Sequence, residues 1–362
     1  MNKNNFCVIM AGGVGSRFWP ISRMNKPKQF LDILGIGKTF LQQTFDRFRN
    51  ICPLENIYIV TNIDYKDIVL SQLPDINPEQ VLLEPLRKNT APCIAYANFK
   101  IKQKNPDANI VVAPSDHIIL KESEFIKVIE EGLEFTKSHA ALMTLGIKPS
   151  KPETGYGYIQ VNHDNNGNRC NINKVKTFTE KPDFEMAKFF VESGEFFWNS
   201  GIFLWSLSSI NKAFETYLPD INMLFDENIK YLNTENEKEG INKIYSECKS
   251  ISIDYGIMEK ADNVYVLCSD FGWSDLGTWG SLYEIKEKNK EGNVLQNENV
   301  YTYDTKNCII SLPKQKLVVT QGLENFIVVE SDDILLICKM QEEQQLRNIV
   351  NDVKHKMGEE YT

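Results

Sequence analysis

The chain has 362 residues, of which 42% are hydrophobic and 25% charged, which suits a soluble enzyme with one large domain and a smaller companion and excludes a disordered or fibrous chain. A formal net charge of −9 excludes a surface built to neutralise nucleic-acid phosphates, yet leaves room for a local basic pocket that holds a small anion. No stretch approaches the roughly 20 apolar residues of a membrane helix, and the apolar run before Gly12 is too short for the core of a signal peptide. The expected compartment is therefore the cytoplasm, with neither membrane nor nucleic acid as a partner.

In chain order, short β-branched runs at 6–10, 57–61, 110–113 and 141–146 predict strands, and helical spacing over 40–48 predicts one of the helices between them. This alternation predicts an α/β domain with a mainly parallel sheet, whose ligands bind beyond the carboxyl ends of the strands. After about residue 285 the texture turns polar. Short strand-like pieces follow at 300–303, 308–311, 317–320, 326–330 and 334–338 and predict a small all-β unit. Beyond residue 340, Leu346, Ile349, Val350, Val353 and Met357 form one apolar helical stripe, which must pack on the β unit, the catalytic domain or a second subunit. A homodimer is one arrangement that meets this need. The expected domains are 1–285 and 286–362.

The residues able to carry chemistry cluster after the predicted strands. Gly12-Gly13-Val14-Gly15-Ser16-Arg17-Phe18-Trp19-Pro20 follows the first one, and Lys26-Pro27-Lys28-Gln29-Phe30 comes soon after. Glycines let backbone N–H groups approach phosphates, and Arg17 and Lys28 add positive charge. The loop lacks the Gly-Lys-Ser/Thr of a P-loop and the G-x-G-x-x-G spacing of dinucleotide binders, so by itself it is weak evidence, with a mere tight turn as the alternative. Val112-Ala113-Pro114-Ser115-Asp116-His117 ends an apolar strand in a carboxylate, and Asp275 lies among glycines and aromatics with Asp270 as a nearby competitor. Two aspartates suffice for magnesium, which takes few protein carboxylates and completes its shell with substrate phosphates and water. The bland alternatives are a turn cap at Asp116 and an Asx turn at Asp275. Glu153-Thr154-Gly155-Tyr156-Gly157, Thr179-Glu180-Lys181-Pro182 and Trp198-Asn199-Ser200-Gly201 combine hydrogen-bonding side chains with glycines and aromatics, as a sugar phosphate requires. The eight cysteines (Cys7, Cys52, Cys93, Cys170, Cys248, Cys268, Cys308, Cys338) and four histidines (His117, His139, His163, His355) show no ligand spacing, so reduced thiols and no zinc are expected.

Taken together and in this order, GGVGSRFWP, KPKQF, EPLRKNTAP, PSDH, ETGYGYI, FTEKP, WNSGIF and WSDLGTW resemble the sugar-1-phosphate nucleotidylyltransferases, and in detail look like the mannose-1-phosphate guanylyltransferases among them. The resemblance spans nearly the whole chain. It implies a Rossmann-like nucleotide-diphospho-sugar transferase domain followed by a small left-handed β-helix-like domain. It also implies that GTP and mannose 1-phosphate give GDP-mannose and pyrophosphate, with Mg2+ held by Asp116 and Asp275. In that reading Arg17, Lys28, Asp116 and Asp275 are catalytic. Gly12, Gly13 and Gly15 cradle the triphosphate with Arg17 and Lys28, while Glu84, Pro85, Asn89, Thr90, Ala91 and Ser115 lie on the nucleotide. Tyr156, Gly157, Glu180, Lys181 and Asn199 take the sugar phosphate. Lys28 is expected to act on the chemistry and not on folding. Arg87-Lys88 before Asn89 departs from the glycine-arginine of the family. The chain ends soon after the β unit, with no room for the isomerase domain of longer relatives. Transfer to another sugar or from another nucleotide, and a silent nucleotide-sugar-binding regulator, remain the alternative readings.

Overall fold

The first strand, β1 (Asn5–Met10), buries its four central residues, and a strand apolar on both faces belongs inside a sheet covered by helices. The computed structural model describes residues 1–13, 15–161, 171–296 and 298–362, so Val14, His163 and Cys170 lie outside the described residues. The strands that follow are β2 (Ile57–Asn62), β3 (Val81–Glu84), β4 (Asn109–Pro114), β5 (Ile118–Ile119), β6 (Leu142–Ile147), β7 (Gly157–Val161), β8 (Ile172–Glu180), β9 (Phe196–Ser206), β10 (Val264–Ser269) and β11 (Trp273–Ser274). Between and beside them run α1 (Phe40–Phe48), α2 (Lys66–Gln72), α3 (Thr90–Lys104), α4 (Glu122–Ser138), α5 (Phe184–Ser193), α6 (Leu207–Tyr217), α7 (Pro219–Glu227), α8 (Glu237–Glu247) and α9 (Trp279–Ile285).

Packing divides the chain into two units that are not contiguous in sequence. The first comprises Met1–Gly12, Leu41–Ser115 and Ile119–Trp273, and the second Gly13–Phe40, Asp116–Ile118 and Ser274–Thr362. In the first unit, among the described residues, nine strands form one sheet in the order β3-β2-β1-β4-β9-β6-β10-β8-β7. From β3 to β4 neighbours are parallel, the 3-2-1-4 start of the Rossmann strand order. Beyond β4 the sheet is mixed. β9 runs antiparallel to both β4 and β6, whereas β6 and β10 are parallel. The parallel character read from the sequence thus holds for part of the sheet, and β9 interrupts it. α3 is buried from Ala91 to Ile101 and stacks Phe99 on Phe225 of α7, with ring centroids 5.4 Å apart.

The second unit contains the expected β-helix-like domain, built from β12 (Val294–Leu295), β13 (Val300–Tyr303), β14 (Ile309–Ser311), β15 (Val318–Gln321), β16 (Phe326–Ser331) and β17 (Ile334–Lys339). β12, β14 and β16 stack in parallel, as do β13 and β15. Val300 pairs with Val318 and Ile309 with Ile327, and both separations (318 − 300 and 327 − 309) equal 18 residues, whereas Val294 pairs with Ile309 after 15 (309 − 294), so the first coil is shorter than the next. Asp304, Asn307 and Asn325 turn its corners at φ 45°, 52° and 60°, the left-handed region that Asn and Asp enter more readily than other side chains. The apolar core of this unit joins Phe18, Trp19, Leu31, Ile33 and Phe40 to Trp279, Leu282, Ile309, Ile327, Val329 and Leu346. The tail stripe forms α10 (Leu346–Met357), which places Leu346 and Val350 on that core while Ile349 and Met357 stay exposed. Its last residues return to the start of the unit, where the Trp19 indole N–H donates to the Tyr361 carbonyl at 2.7 Å and the Met24 N–H to that of Thr362 at 3.1 Å.

Candidate active site

In the second unit the glycine-rich loop is closed by Gly15, at φ +69° on the edge of a 3-10 turn over Ser16–Phe18. A Cβ there would meet Lys28 Cβ at 2.5 Å and Ser22 Oγ at 3.2 Å, so glycine is required by both backbone angle and space. The loop therefore closes directly onto Lys28. Gln29 fixes the other side by donating its Nε2 to the Gly13 carbonyl at 2.8 Å.

Lys28 is not a solvated loop lysine. Only 4% of its side chain is exposed, and its Nζ stands 3.0 Å from Asp116 Oδ2. The same ammonium donates to the carbonyls of Asp275 at 2.7 Å and Leu276 at 3.0 Å, and it lies over the rings of Phe18 and Phe40. One cation thus joins the Asp116 carboxylate to the backbone of Asp275. This corrects the expectation that Lys28 is separable from folding: its partners Phe18, Phe40, Asp116 and Asp275 come from separate stretches of chain and enclose it. Burial pushes the Asp116 carboxyl up, but Lys28 and the charge of His117 outweigh it, so the group ends below the usual carboxylate range. The Asp275 carboxylate accepts the Gly277 N–H at 2.9 Å, the Asx turn foreseen for it. Arg17 lies over this turn: a Cβ on Gly277 would stand 3.3 Å from Arg17 Nη1 and 2.7 Å from Asp275 Oδ2. Arg17 Nε is buried without a hydrogen-bond partner. The positive charge of Arg17, followed by burial, lowers the pKa of Arg347 on α10, so two guanidinium groups lie within electrostatic reach of each other. Asp270, the competitor, pairs instead with Lys121 at 2.9 Å on the exposed surface of the first unit.

The first unit holds the other predicted site residues in two groups. At the end of β3, Glu84 is buried and accepts the Tyr245 hydroxyl at 2.9 Å. A Cβ at Gly12 would lie 3.5 Å from its Oε2. Burial pushes this carboxyl up to about 7, against the opposing Tyr245 hydrogen bond and Arg87 charge. Asn89, at φ +64°, precedes α3 and donates to Ser250 Oγ at 2.8 Å. Thr90 Oγ1 accepts the Ile253 N–H at 2.8 Å, and the Ala91 N–H donates to the Ile251 carbonyl at 3.1 Å. Ser115 is buried, its N–H on the Met10 carbonyl. Pro85 instead lines a cavity of about 640 Å³ with Tyr96, Lys100 and Glu237. Arg87 donates to the Tyr65 hydroxyl at 2.6 Å.

The second group surrounds the ends of β7, β8 and β9. Gly157 pairs with Glu180 across the strands, and a Cβ at Gly157 would collide with Glu180 Oε2. Lys181, at φ +50°, donates its backbone N–H to the Tyr156 carbonyl and pairs with Glu180 Oε1 at 2.6 Å. Tyr156 packs edge-on against Trp198 and Trp273. Asn199 Oδ1 accepts from the Thr144 hydroxyl at 2.8 Å, and its Nδ2 donates to Asp254 Oδ1 at 2.8 Å. Burial, then the negative charge of Glu180, push the Asp254 carboxyl up to about 7, against Asn199, its own backbone and Lys181. Sequence reasoning missed Asp254, Tyr245 and Arg347. The sole local signal for Asp254 is an acid between Ile253 and Tyr255, which is too ordinary to single out.

The family model described as Nucleotidyl transferase matches residues 6–292, and the MannoseP isomerase/GMP-like beta-helix domain matches 298–353. The chain is 34% identical over 349 residues to a mannose-1-phosphate guanylyltransferase of Escherichia coli, covering 95% of this chain and 74% of that one. It is also 34% identical over 357 residues to one of Klebsiella pneumoniae, covering 98% of this chain and 75% of the relative. Among solved structures, mannose-1-phosphate geranyltransferase from Thermus thermophilus superposes with a TM-score of 0.86 at 27% identity, over 97% of this chain and 99% of that one.

Proposed function

The chain belongs to the nucleotidyl transferase family, and from that premise we propose that it transfers GMP from GTP to α-D-mannose 1-phosphate, giving GDP-mannose and pyrophosphate. The observation that carries this reading is the junction at Lys28, where one buried ammonium joins the glycine-rich loop to Asp116 and Asp275. Both reactants are anions, so catalysis must hold mutually repelling phosphates and stabilise charge spread over the α-phosphoryl oxygens. Arg17 and Lys28 supply fixed positive charge for this, and Gly12, Gly13 and Gly15 leave the backbone open to the triphosphate. A phosphate oxygen of the sugar attacks the α-phosphorus in line and pyrophosphate leaves. The attacking oxygen is already ionised, so no general base is required.

Asp116 and Asp275 offer the hard oxygen donors that magnesium prefers, and two carboxylates are enough where phosphates complete the shell. Their chemistry fits such an ion: Asp116 Oδ2 already faces a cation, the Lys28 ammonium, at 3.0 Å, and the Asp275 carboxylate stands on the turn that Arg17 overlies. When bound, magnesium neutralises charge on the phosphates. Lys181 grips the sugar phosphate, while Tyr156, the backbone at Gly157, Glu180 and Asn199 receive the sugar. Glu84, Pro85, Asn89, Thr90, Ala91 and Ser115 serve the nucleotide. Residues 1–285 carry the transfer and 286–362 the β-helix-like support. We place the reaction in the cytoplasm, in keeping with the free cysteines among the described residues and the lack there of any helix long and apolar enough to cross a membrane. We propose a homodimer, on the exposed Tyr301 and Val319 side chains that β13 and β15 set side by side. A monomer by light scattering would refute it. Pyrophosphate release with each NTP against mannose, glucose, galactose and N-acetylglucosamine 1-phosphates tests the activity: GTP with mannose 1-phosphate should react fastest, and preference for any other pair would overturn the assignment.

A further inference from the structure

One short segment, Asp254 to Glu259, clamps the proposed sugar site from two directions. Its first five residues form a π-helical turn, Asp254–Met258, a rare geometry that often marks functional sites. At one end Asp254 holds the Asn199 side chain, and at the other Glu259 Oε1 accepts the Glu180 backbone N–H at 3.1 Å.

The result is a defined hydrogen-bonding pattern. Asn199 Oδ1 is fully engaged, accepting the Thr144 hydroxyl at 2.8 Å and the Gly201 N–H at 3.2 Å. One Nδ2 proton goes to Asp254. The amide cannot flip, since a flip would set its oxygen against the Asp254 carboxylate and its N–H₂ against the Gly201 donor. Its second N–H is left over. Beside it, Glu180 is 7% exposed, Oε1 is taken by Lys181, and Oε2 is buried with no partner. A carboxylate oxygen enclosed without a donor is costly unless a ligand supplies one.

We propose that Asp254 is a positioning residue that fixes the Asn199 amide, so that its remaining N–H and the free Oε2 of Glu180 form one donor and one acceptor that read two hydroxyls of the sugar. This rests on the reading of the Glu180–Asn199 group as the sugar site. Asp254 does not touch the sugar. It sets the direction of a donor, and a mispositioned donor loses both its bond and its preference between epimers. A purely structural role for Asp254 makes the opposite forecast for stability. Enclosing its carboxyl opposes folding at neutral pH, as its raised pKa records, so an apolar isostere there keeps or raises the melting temperature.

The test is calorimetric titration of the full chain with GDP, GDP-mannose and GDP-glucose, using the parent, Asp254→Asn and Asp254→Leu. Asp254→Asn keeps an acceptor for Asn199 and should bind GDP-mannose within about threefold of the parent. Asp254→Leu should melt no lower than the parent, bind GDP unchanged, lose about 10–100-fold in GDP-mannose affinity, and discriminate less against GDP-glucose. If Asp254→Leu does not fold, Thr144→Val removes the shorter of the two bonds that hold Asn199 Oδ1 and should weaken GDP-mannose in the same direction. GDP-mannose binding by Asp254→Leu or Thr144→Val within twofold of the parent would overturn the proposal. A parent that binds GDP-mannose no tighter than GDP would instead overturn the sugar-site reading beneath it.

Discussion

Replacing Lys28 by alanine should cost the protein both stability and turnover. The substitution leaves Asp116, 31% exposed, without its partner 3.0 Å away, and removes a donor from two carbonyls. Loss of one member of a buried pair costs about 3–5 kcal/mol. Because water reaches Asp116 in part, the lower end applies, about 3 kcal/mol, which lowers the melting temperature by roughly 6–12 °C at 2–4 °C per kcal/mol. Loss of a fixed charge at the reacting phosphates should cost on the order of 10²–10³ in kcat. Scanning calorimetry and pyrophosphate release at saturating GTP and mannose 1-phosphate measure the two effects separately. Lys28→Met with Asp116→Asn gives the decisive comparison: the double variant should regain part of the lost stability, because no unpaired charge remains, and regain no turnover. If Lys28→Ala melts within 1 °C of the parent, the buried pair contributes nothing. If it keeps kcat within threefold, Lys28 leaves the mechanism.

Chelation by excess EDTA should abolish turnover and magnesium should restore it, whereas full activity in EDTA would remove the metal role of Asp116 and Asp275. A chain ending at Lys339 loses Leu346 and Val350 from the core and the Trp19–Tyr361 bond; at roughly 1.5–3 kcal/mol for a fully buried Leu alone, calorimetry should show a clear fall, and an unchanged melting temperature would refute the docking of α10. Gly15→Ala should destabilise and inactivate together, since its Cβ has no space beside Lys28, and parental activity would sink that account of the loop. Glu84 and Asp254 give a pH signature. Each carboxyl is raised to about 7 from 4.5 and 3.8 respectively, so between those limits the folded chain holds more protons than the unfolded one and stability falls as pH rises to about 7. For Asp254 the rise to about 7 amounts to at most about 4 kcal/mol, less where water reaches the group. Urea unfolding from pH 5 to 8 should show this fall and a shallower one in Asp254→Asn; a slope unchanged by that substitution would refute it.

The parallel strands and the short strands of the carboxy-terminal unit were legible because their β-branched runs are continuous and their turns carry Asn, Asp and Gly, signals confined to a few neighbouring residues, whereas the β-helix-like coiling was implied by the family resemblance alone. Strand ends observed for β1, β2, β4, β6 and β13 lie within a residue of the runs read from the sequence. β9 was not legible as a strand because Asn199, Ser200 and Gly201 interrupt its apolar run, and the same residues read as a loop motif. Candidate site residues stood out where several unusual types stand together, as at Gly12–Trp19. What could not be read was enclosure. Lys28 is buried by Phe18 and Phe40 and answered by Asp116, and nothing within a few residues of Lys28 records that they meet. Asp254 likewise depends on Asn199, 55 residues away. Local spacing reports which face of an element is apolar, whereas a pKa or a trapped ammonium is set by contacts across the fold.

The interleaving of the second unit bears on how the chain is made. Residues 13–40 leave the ribosome early, yet the core they join is completed by residues 274–362, and Trp19 waits for a carbonyl 342 positions downstream. Contacts of such long sequence separation form late, because the loop they close must be ordered before they reward it. The glycine-rich loop therefore acquires its core only after residues 274–362 have been made. A nascent chain released early exposes Phe18 and Trp19 without their partners, the kind of surface on which incomplete chains aggregate. The geometry of residues 13–40 is in this sense a product of residues 274–362.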